Sequence, residues 1–136
     1  MKLIICLDDN NGMMFNNRRQ SRDSAVVKKI IDMSKDSKLF MTEYSAKIFP
    51  EHENIVIFSG EIPMGGQNDL CFAEQNIASL GDFREIYIFR WNRSYPGDVR
   101  FEFDLIKEGF FVRSTEDLVG NSHDKITLEL YVRGQE

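Results

Sequence analysis

The chain has 136 residues and a mass of 15.8 kDa, which is enough for one domain with a single core and too little for two. Hydrophobic residues make up 42% of it and proline is scarce, which argues against intrinsic disorder. The net charge of -5 argues against direct nucleic-acid binding, because proteins that bind nucleic acid usually present a basic face. A negative charge suits a partner with a basic protein surface, or it simply keeps the protein in solution.

The first stretch of the chain joins a buried strand to a polar loop. The unbroken apolar run in Lys2 to Leu7 predicts a core strand, and it ends in a cluster of carboxylates and amides, Asp8 to Asn11. Gly12 then predicts a turn, and a second polar patch follows at Asn16 to Asp23. Because a turn lies between the two polar segments, we expect them to lie close together and to form any site that the protein has.

The next segment predicts a helix that lies on the sheet, from Asp23 to Ser34. Asp23 or Ser21 can cap it, because both side chains can accept a hydrogen bond from the first turn. Its apolar residues recur at helical spacing and are Val26, Val27, Ile30, Ile31 and Met33. A short helix over Thr42 to Phe49, closed by Pro50, is predicted further on.

Apolar, β-branched and aromatic runs predict the remaining strands. In chain order these are Leu39 to Met41, Asn54 to Phe58, Asp69 to Ala73, Glu85 to Trp91, Val99 to Phe103, Phe110 to Ser114 and Lys125 to Val132. Glu85 to Trp91 is the strongest and should be central, a helical turn is expected at Asn76 to Leu80, and Glu116 to Asp124 is expected as a loop. The order of elements predicts an α/β fold over residues 1–136, a single-domain mixed β-sheet with flanking helices.

The cysteines and the hydropathy pattern predict a reduced, cytoplasmic protein. Cys6 and Cys71 both lie inside apolar runs, where a thiol usually behaves as a small buried hydrophobe. No run approaches the ~18 apolar residues of a membrane span. Met1 and Lys2 lead straight into a strand with no signal-peptide pattern, so we expect neither export nor a membrane partner.

Four segments of the chain resemble a small family of uncharacterised proteins, mostly from gut Firmicutes. They read LDDNNGMMFNNRRQSRD, EYSAKIF, RWNRSYPGD and GNSHDKITLELY. Members of this family are often labelled ribonuclease Z. An enzyme of that name needs a histidine-rich HxHxDH metal motif, whereas this chain has only His52 and His123. The resemblance therefore implies membership of the family without that metal site, and we predict no metal site.

A second resemblance is to the dihydrofolate reductase fold. The order of elements is similar, and so is the end of the chain, where Pro96-Gly97-Asp98, a strand around Phe101 and Gly120 to His123 precede the last strand. Arg22 to Lys28 resembles the start of that family's first helix. The resemblance implies a dihydrofolate-reductase-like and shortened fold, with Asp23 where those reductases carry their single buried carboxylate.

The cofactor-binding turns of that family are changed in this chain. Ala73-Glu74-Gln75 replaces the glycine-rich phosphate turn, and Thr42-Glu43 replaces a glycine-arginine pair. Glu74 and Glu43 would place carboxylates near the cofactor phosphates, where amides and an arginine are needed. The segment between Ile57 and Asp69 is also too short for the adenine half of the site. We therefore predict the fold without its nicotinamide cofactor, and no other cofactor.

The catalytic candidates are acidic residues and one histidine, namely Asp8, Asp9, Asp23 and His123. Asp8 and Asp9 could hold a magnesium ion or act as an acid/base pair, or they could be turn residues that bind backbone amides. Asp23 could be a general acid or base, or only a helix cap. We predict no Ser/His/Asp or Cys/His nucleophile arrangement, and the sequence has no P-loop and no zinc-ligand spacing.

Arginine and aromatic residues in two polar loops predict a partner-binding surface, because interface hot spots favour these types. The residues are Asn16, Arg18, Arg19, Arg22, Trp91, Asn92, Arg93 and Tyr95. The simpler alternatives are that the arginines are solvated and that Trp91 ends a core strand.

These observations together favour a non-catalytic protein-binding or inhibitor module of phage or mobile-element type. An anti-CRISPR protein that blocks an RNA-guided nuclease is the specific form we expect, because such inhibitors use acidic surface against basic nucleic-acid channels. The alternative is a ribonuclease or other small enzyme in which Asp8, Asp9, Asp23 and His123 act as acid and base and the arginine cluster holds phosphate.

Overall fold

Strands and helices alternate in the first half of the chain, and strands alone make up the second half. The computed structural model describes residues 1–134. In chain order the elements are β1 (Lys2–Leu7), β2 (Gly12–Phe15), β3 (Arg18–Arg19), α1 (Ser24–Met33), β4 (Leu39–Met41), α2 (Glu43–Ala46), β5 (Ile55–Ile57), β6 (Leu70–Phe72), β7 (Glu85–Arg90), β8 (Val99–Arg100), β9 (Phe110–Leu118) and β10 (Ile126–Arg133).

The main sheet is built around β1. Across residues 1–134 its strands run in the order β5-β4-β6-β1-β7-β10-β9, with β1 parallel to β6 and β7 and β10 antiparallel to β7 and β9. β7 is an interior strand, as predicted. The mixed α/β fold class is confirmed, and the predicted strands of this sheet are present with bounds shifted by a few residues.

Both faces of the main sheet are buried, which explains why β1 is apolar at nearly every position. Leu3 and Ile5 face one core, and Ile4 faces the other. Val26 and Ile30 of α1 pack on the Ile4 side, and the helix therefore lies on the sheet as its periodicity predicts. Among residues 1–134, no helix is long and apolar enough to cross a membrane.

A small second sheet, in the order β3-β2-β8, occupies the region where the sequence predicts only a turn and a polar patch. β2 and β3 pair through Met14 with Arg19 and Phe15 with Arg18, so Asn16 and Asn17 form the two-residue loop. Their φ angles of 51° and 62° lie in the left-handed region that asparagine tolerates. Strands as short as β2 and β3 carry no readable alternation, and the sequence did not reveal them, whereas β8 lies within the strand predicted over Val99 to Phe103.

Four of the predicted elements differ from the structure. The helix predicted over Thr42 to Phe49 spans only Glu43–Ala46. The strand predicted over Val99 to Phe103 ends at Arg100, because Phe101 turns into the core. Asn76 to Leu80 is irregular and not helical. β9 continues to Leu118, into the segment predicted as a loop, because β10 pairs with it along its whole length while its side chains stay exposed and give no alternating pattern.

β9 is an edge strand with an irregular register. Leu130 of β10 pairs with Ser114, but the next residue, Tyr131, pairs with Val112. Arg113 is therefore an extra residue, which makes a β-bulge near the middle of the strand. Phe111 and Val112 beside the bulge are about half exposed, at 47% and 50%.

Replacing Ile88 by Ala should destabilise the protein by about 2 to 5 kcal/mol, because Ile88 is fully buried in the interior strand β7. Ile57→Ala is the matched control: Ile57 is 50% exposed in the edge strand β5, and its loss should cost no more than about 1 kcal/mol. Urea unfolding monitored by circular dichroism gives both values. Equal costs would contradict the interior position of β7.

Candidate functional site

Asp23 connects the start of α1 to the loop that precedes β10. Its Oδ1 accepts hydrogen bonds from the backbone N–H groups of Ala25 and Asn121, both at 2.9 Å. Its Oδ2 accepts from the backbone N–H and the hydroxyl of Ser122, at 2.9 and 3.2 Å. The predicted capping role is therefore present, and the same carboxylate also holds a loop about a hundred residues further along the chain.

The loop approaches Asp23 so closely that residue 120 must be small. A Cβ on Gly120 would lie 2.6 Å from Asp23 Oδ2 and 2.6 Å from the carbonyl oxygen of His123. Burial opposes ionisation of Asp23, but hydrogen bonds from Asn121, His123 and Ser122 outweigh it and hold the pKa of Asp23 well below its usual range. Asp23 is therefore a carboxylate at neutral pH.

His123 lies at the centre of a buried hydrogen-bonded network. Its Nδ1 is 2.9 Å from Asp23 Oδ2, and its Nε2 is 2.9 Å from Ser21 Oγ and 3.1 Å from Tyr95 Oη. Because the carboxylate can only accept, Nδ1 carries the proton in the neutral ring and Nε2 accepts from the Ser21 hydroxyl, while the Tyr95 hydroxyl donates to Ser21 Oγ at 3.4 Å. The ring is 4% exposed and stacks on Trp91, with centroids 4.6 Å apart and planes 22° apart.

Asp8 has the role of a turn residue. Its Oδ1 accepts from the backbone N–H groups of Gly12 at 2.7 Å and Asn10 at 2.9 Å. Its Oδ2 accepts from the N–H of Tyr95 at 2.9 Å and from the side-chain amide of Gln20 at 3.2 Å. Burial opposes its ionisation, yet these donors lower the pKa of Asp8 overall. Asp8 thus fixes the loop after β7 against the end of β1.

A buried ion pair occupies the carboxyl end of β6. Arg19 binds Glu74 through two parallel hydrogen bonds of 2.8 Å, and Ser45 Oγ donates to the same carboxylate at 2.8 Å. The guanidinium lies over the ring of Tyr44, 4.3 Å from its centroid. Only 15% of the Arg19 side chain and 11% of the Glu74 side chain are exposed, so this cluster is internal.

The space between α1 and the sheet is almost filled. A cavity of about 20 Å³ remains, which has room for one water molecule. An open groove of about 430 Å³ adjoins it on the outside. Residues that line both are Arg22, Asp23, Val27 and Ile48. Cys6 also lines the cavity, and burial together with the charge of Glu74 raises the pKa of its thiol, so it is not a thiolate.

The structure brings together two of the catalytic candidates, Asp23 and His123. Asp8 lies in its own cluster, and Asp9 is exposed, with its carboxylate 3.4 Å from the Ser94 hydroxyl. Within residues 1–134 no group of three or more His, Cys, Asp or Glu side chains could hold a metal ion. Sequence reasoning missed Ser21 as a partner of His123, because the two are 102 positions apart and share no motif.

The residues expected at a partner surface divide into two sets. Those that are exposed are Asn16, Arg18, Arg22, Asn92 and Arg93. Arg19 is held by Glu74, Trp91 is 3% exposed beneath His123, and Tyr95 is half-buried with its hydroxyl against the same ring. These three side chains hold the interior together. The burial of Trp91 agrees with the alternative that it ends a core strand, whereas the burial of Arg19 was not predicted.

The solved structures that resemble this one include dihydrofolate reductase from Enterococcus faecalis, whose crystal contains NADP(H) and RAB-propyl. The TM-score is 0.69 at 10% sequence identity, over 98% of this chain and 96% of that one. The chain has a dihydrofolate-reductase-like fold. No protein-family model and no curated protein matches the sequence, so the likeness to the small Firmicute family depends on the four segments alone.

Asp23→Asn should reduce the pH dependence of stability. Because the folded pKa of Asp23 lies below its usual value, the ionised group contributes stability that is complete above about pH 5 and is lost as the pH falls toward the folded pKa. The variant should lose roughly 1 to 3 kcal/mol at neutral pH and show a shallower acid slope. Asp32→Asn, exposed on α1, is the control and should retain the slope. Equal slopes in Asp23→Asn and wild type would contradict the role of Asp23.

Proposed function

We propose that this protein is a binding module that acts by covering a partner's surface and carries out no reductase chemistry. The observation that carries the proposal is that the space between α1 and the sheet is nearly filled by the chain's own side chains. Ligand sites for small molecules usually have volumes of about 300 to 1,000 Å³. The cavity between α1 and the sheet has about 20 Å³.

The carboxylate that the family resemblance places in the substrate half is already engaged. Both oxygens of Asp23 are bound by donors from α1 and from the loop before β10. His123 and Trp91 stack above it and exclude a planar ring from the same space. A substrate that binds this carboxylate would therefore have to displace the bonds that join the loop to the helix.

The residues present do not fit the nicotinamide cofactor that the fold family implies. Glu74 follows β6, where the family has its glycine-rich turn, and its carboxylate is neutralised by Arg19. Thr42 caps α2, and Glu43 beside it is exposed and acidic. A pyrophosphate needs free amides and a free cation, and this edge of the sheet offers a carboxylate and a cation already paired.

The chain should therefore show no binding of NADPH at micromolar concentration. Nucleotide fluorescence and isothermal titration calorimetry measure this directly, with a dihydrofolate reductase as the positive control in the same buffer. Glu74→Gln is a useful second sample, because it removes the carboxylate and releases Arg19. Saturable binding by the wild type would contradict the proposal.

The surface has side chains suited to binding a protein of the systems that defend cells against phages and mobile elements. Phe15, 46% exposed next to the Asn16-Asn17 turn, provides an apolar anchor beside the exposed Arg18. The net charge of -5 favours a basic partner surface. An RNA-guided nuclease has such a surface in its nucleic-acid channel, so we propose an anti-CRISPR role as the specific form.

Charge reversal in the acidic segment between β8 and β9 tests this partner. Glu102→Lys and Glu108→Lys, at exposed positions, should weaken inhibition of an assembled guide-RNA nuclease by roughly tenfold together, and more at low salt. Lys107→Glu on the same segment is the matched control and should not weaken it. If the nuclease cleaves its target at the same rate with and without an excess of this protein, the proposal of an RNA-guided nuclease as the partner is wrong.

The ribonuclease alternative has less support, because Asp8 and Asp23 belong to different hydrogen-bonded clusters and Arg19 is committed to Glu74. The same experiment separates the two functions if structured RNA is added alone. Degradation of this RNA by the wild type, lost in Asp23→Asn, would favour the ribonuclease. Intact RNA together with nuclease inhibition would support the binding module.

A further inference from the structure

We propose that Ser21 is a nucleophile, activated by His123 and Asp23, that accepts acyl groups from small anionic esters. The inference goes beyond the binding role and does not depend on it. It stands on the order in which the three side chains contact one another and on their position beside an open groove.

Ser21, His123 and Asp23 form a chain of hydrogen bonds in which each group donates to the next. The Nδ1–H of His123 donates to Asp23, so Nε2 presents its lone pair to the Ser21 hydroxyl at 2.9 Å. This is the arrangement in which an imidazole removes the proton of an attacking serine, and it is recognised by geometry and not by chain order. The buried carboxylate stabilises the imidazolium that forms.

The imidazole is held in this orientation by its surroundings. Trp91 stacks on one face of the ring, and the backbone N–H of Ser122 fixes Asp23 next to it. Gly120 allows the loop to approach the carboxylate closely. A base that is already oriented loses little free energy when the reaction begins.

Access is possible from the groove. Ser21 lines the inner cavity, which shares a wall with the groove at Arg22 and Asp23. Arg22 is exposed there, whereas the carboxylate of Asp23 is engaged by the chain's own donors. Ser21 does not line the groove itself, so an ester held in its volume of about 430 Å³ with a carboxylate at Arg22 has to extend past the shared wall of Arg22 and Asp23 to bring its carbonyl carbon to Ser21. The inner cavity has room for the one water that the second step needs.

The reaction is balanced without a cofactor. Ser21 Oγ forms a bond to the carbonyl carbon while Nε2 of His123 takes the hydroxyl proton. The bond to the alkoxide leaving group then breaks, and the alkoxide takes that proton. Water attacks the acyl-serine with His123 again as base, which releases a carboxylic acid and restores Ser21. Tyr95 Oη, 3.4 Å from Ser21 Oγ, is placed to donate to the oxyanion.

A fluorophosphonate probe tests the nucleophile, because it phosphonylates an activated serine with loss of fluoride. The wild type should gain one adduct by intact mass, mapped to Ser21 by peptide sequencing. Ser21→Ala should gain none, and His123→Ala should react at least ~100-fold more slowly. Ser59→Ala, an exposed serine far along the chain, is the control and should label normally. An unlabelled wild type, or an adduct that persists in Ser21→Ala, would overturn the proposal.

Ester hydrolysis provides the second measurement. The mono-4-nitrophenyl ester of succinic acid should be cleaved with a higher kcat/KM than 4-nitrophenyl acetate, and Arg22→Gln should remove the preference through KM. Tyr95→Phe should lower kcat by roughly 100-fold while leaving KM unchanged. Circular dichroism spectra and melting curves of each variant identify any that fail to fold, and Ser21→Gly then replaces Ser21→Ala because it also lacks a nucleophile. Equal turnover in wild type and folded Ser21 variants would refute the assignment.

Discussion

A buried carboxylate must accept hydrogen bonds at both of its oxygens. In this protein, that requirement of Asp23 determines how the polar loops are arranged. The group caps α1, so its position is fixed by the helix that packs on the main sheet. Its remaining acceptor sites are satisfied by the loop before β10, which must therefore fold back across the end of the helix. His123 belongs to that loop, and its ring contacts Trp91, Ser21 and Tyr95.

The closed cleft follows from this arrangement and from the pair formed by Arg19 and Glu74. Both sets of bonds lie at the carboxyl edge of the parallel strands, where open α/β sheets place their ligands. In this chain the same edge is occupied by an ion pair on one side of α1 and a hydrogen-bonded imidazole on the other. A fold shared with an enzyme is thus compatible with a different use, because function depends on the groups at the site.

Apolar patterning predicted the elements that form the core. β1 and β7 were found because strands buried on both faces demand apolar residues at most positions, and α1 because the one face that packs on the sheet demands apolar residues at helical spacing. The hairpin of β2 and β3 was missed, because strands of two to four residues are set by left-handed asparagines and by pairing partners that lie far away.

The two polar segments lie close together as predicted, since Gln20 binds Asp8, but the individual contacts of the candidate site were not predicted. Asp23 and the polar loops were identified from residue type and from the expected strand ends. The contact of Ser21 with His123 depends on the path of the whole chain between them, which no local pattern records. Arginine and aromatic residues suit an interface and an interior network equally well, so composition left two alternatives open for Trp91 and did not predict that Arg19 would be buried.

The bulge at Arg113 affects whether copies of the protein associate through their sheet edges at high concentration. A straight, nine-residue edge strand with half-exposed Phe111 and Val112 would be a template for strands of other copies. The extra residue breaks the regular spacing of donors and acceptors, and the charges of Arg113, Glu116 and Asp117 oppose stacking of like strands. The edge is thereby protected against fibril growth without being covered by another element, and its apolar side chains can remain at the surface.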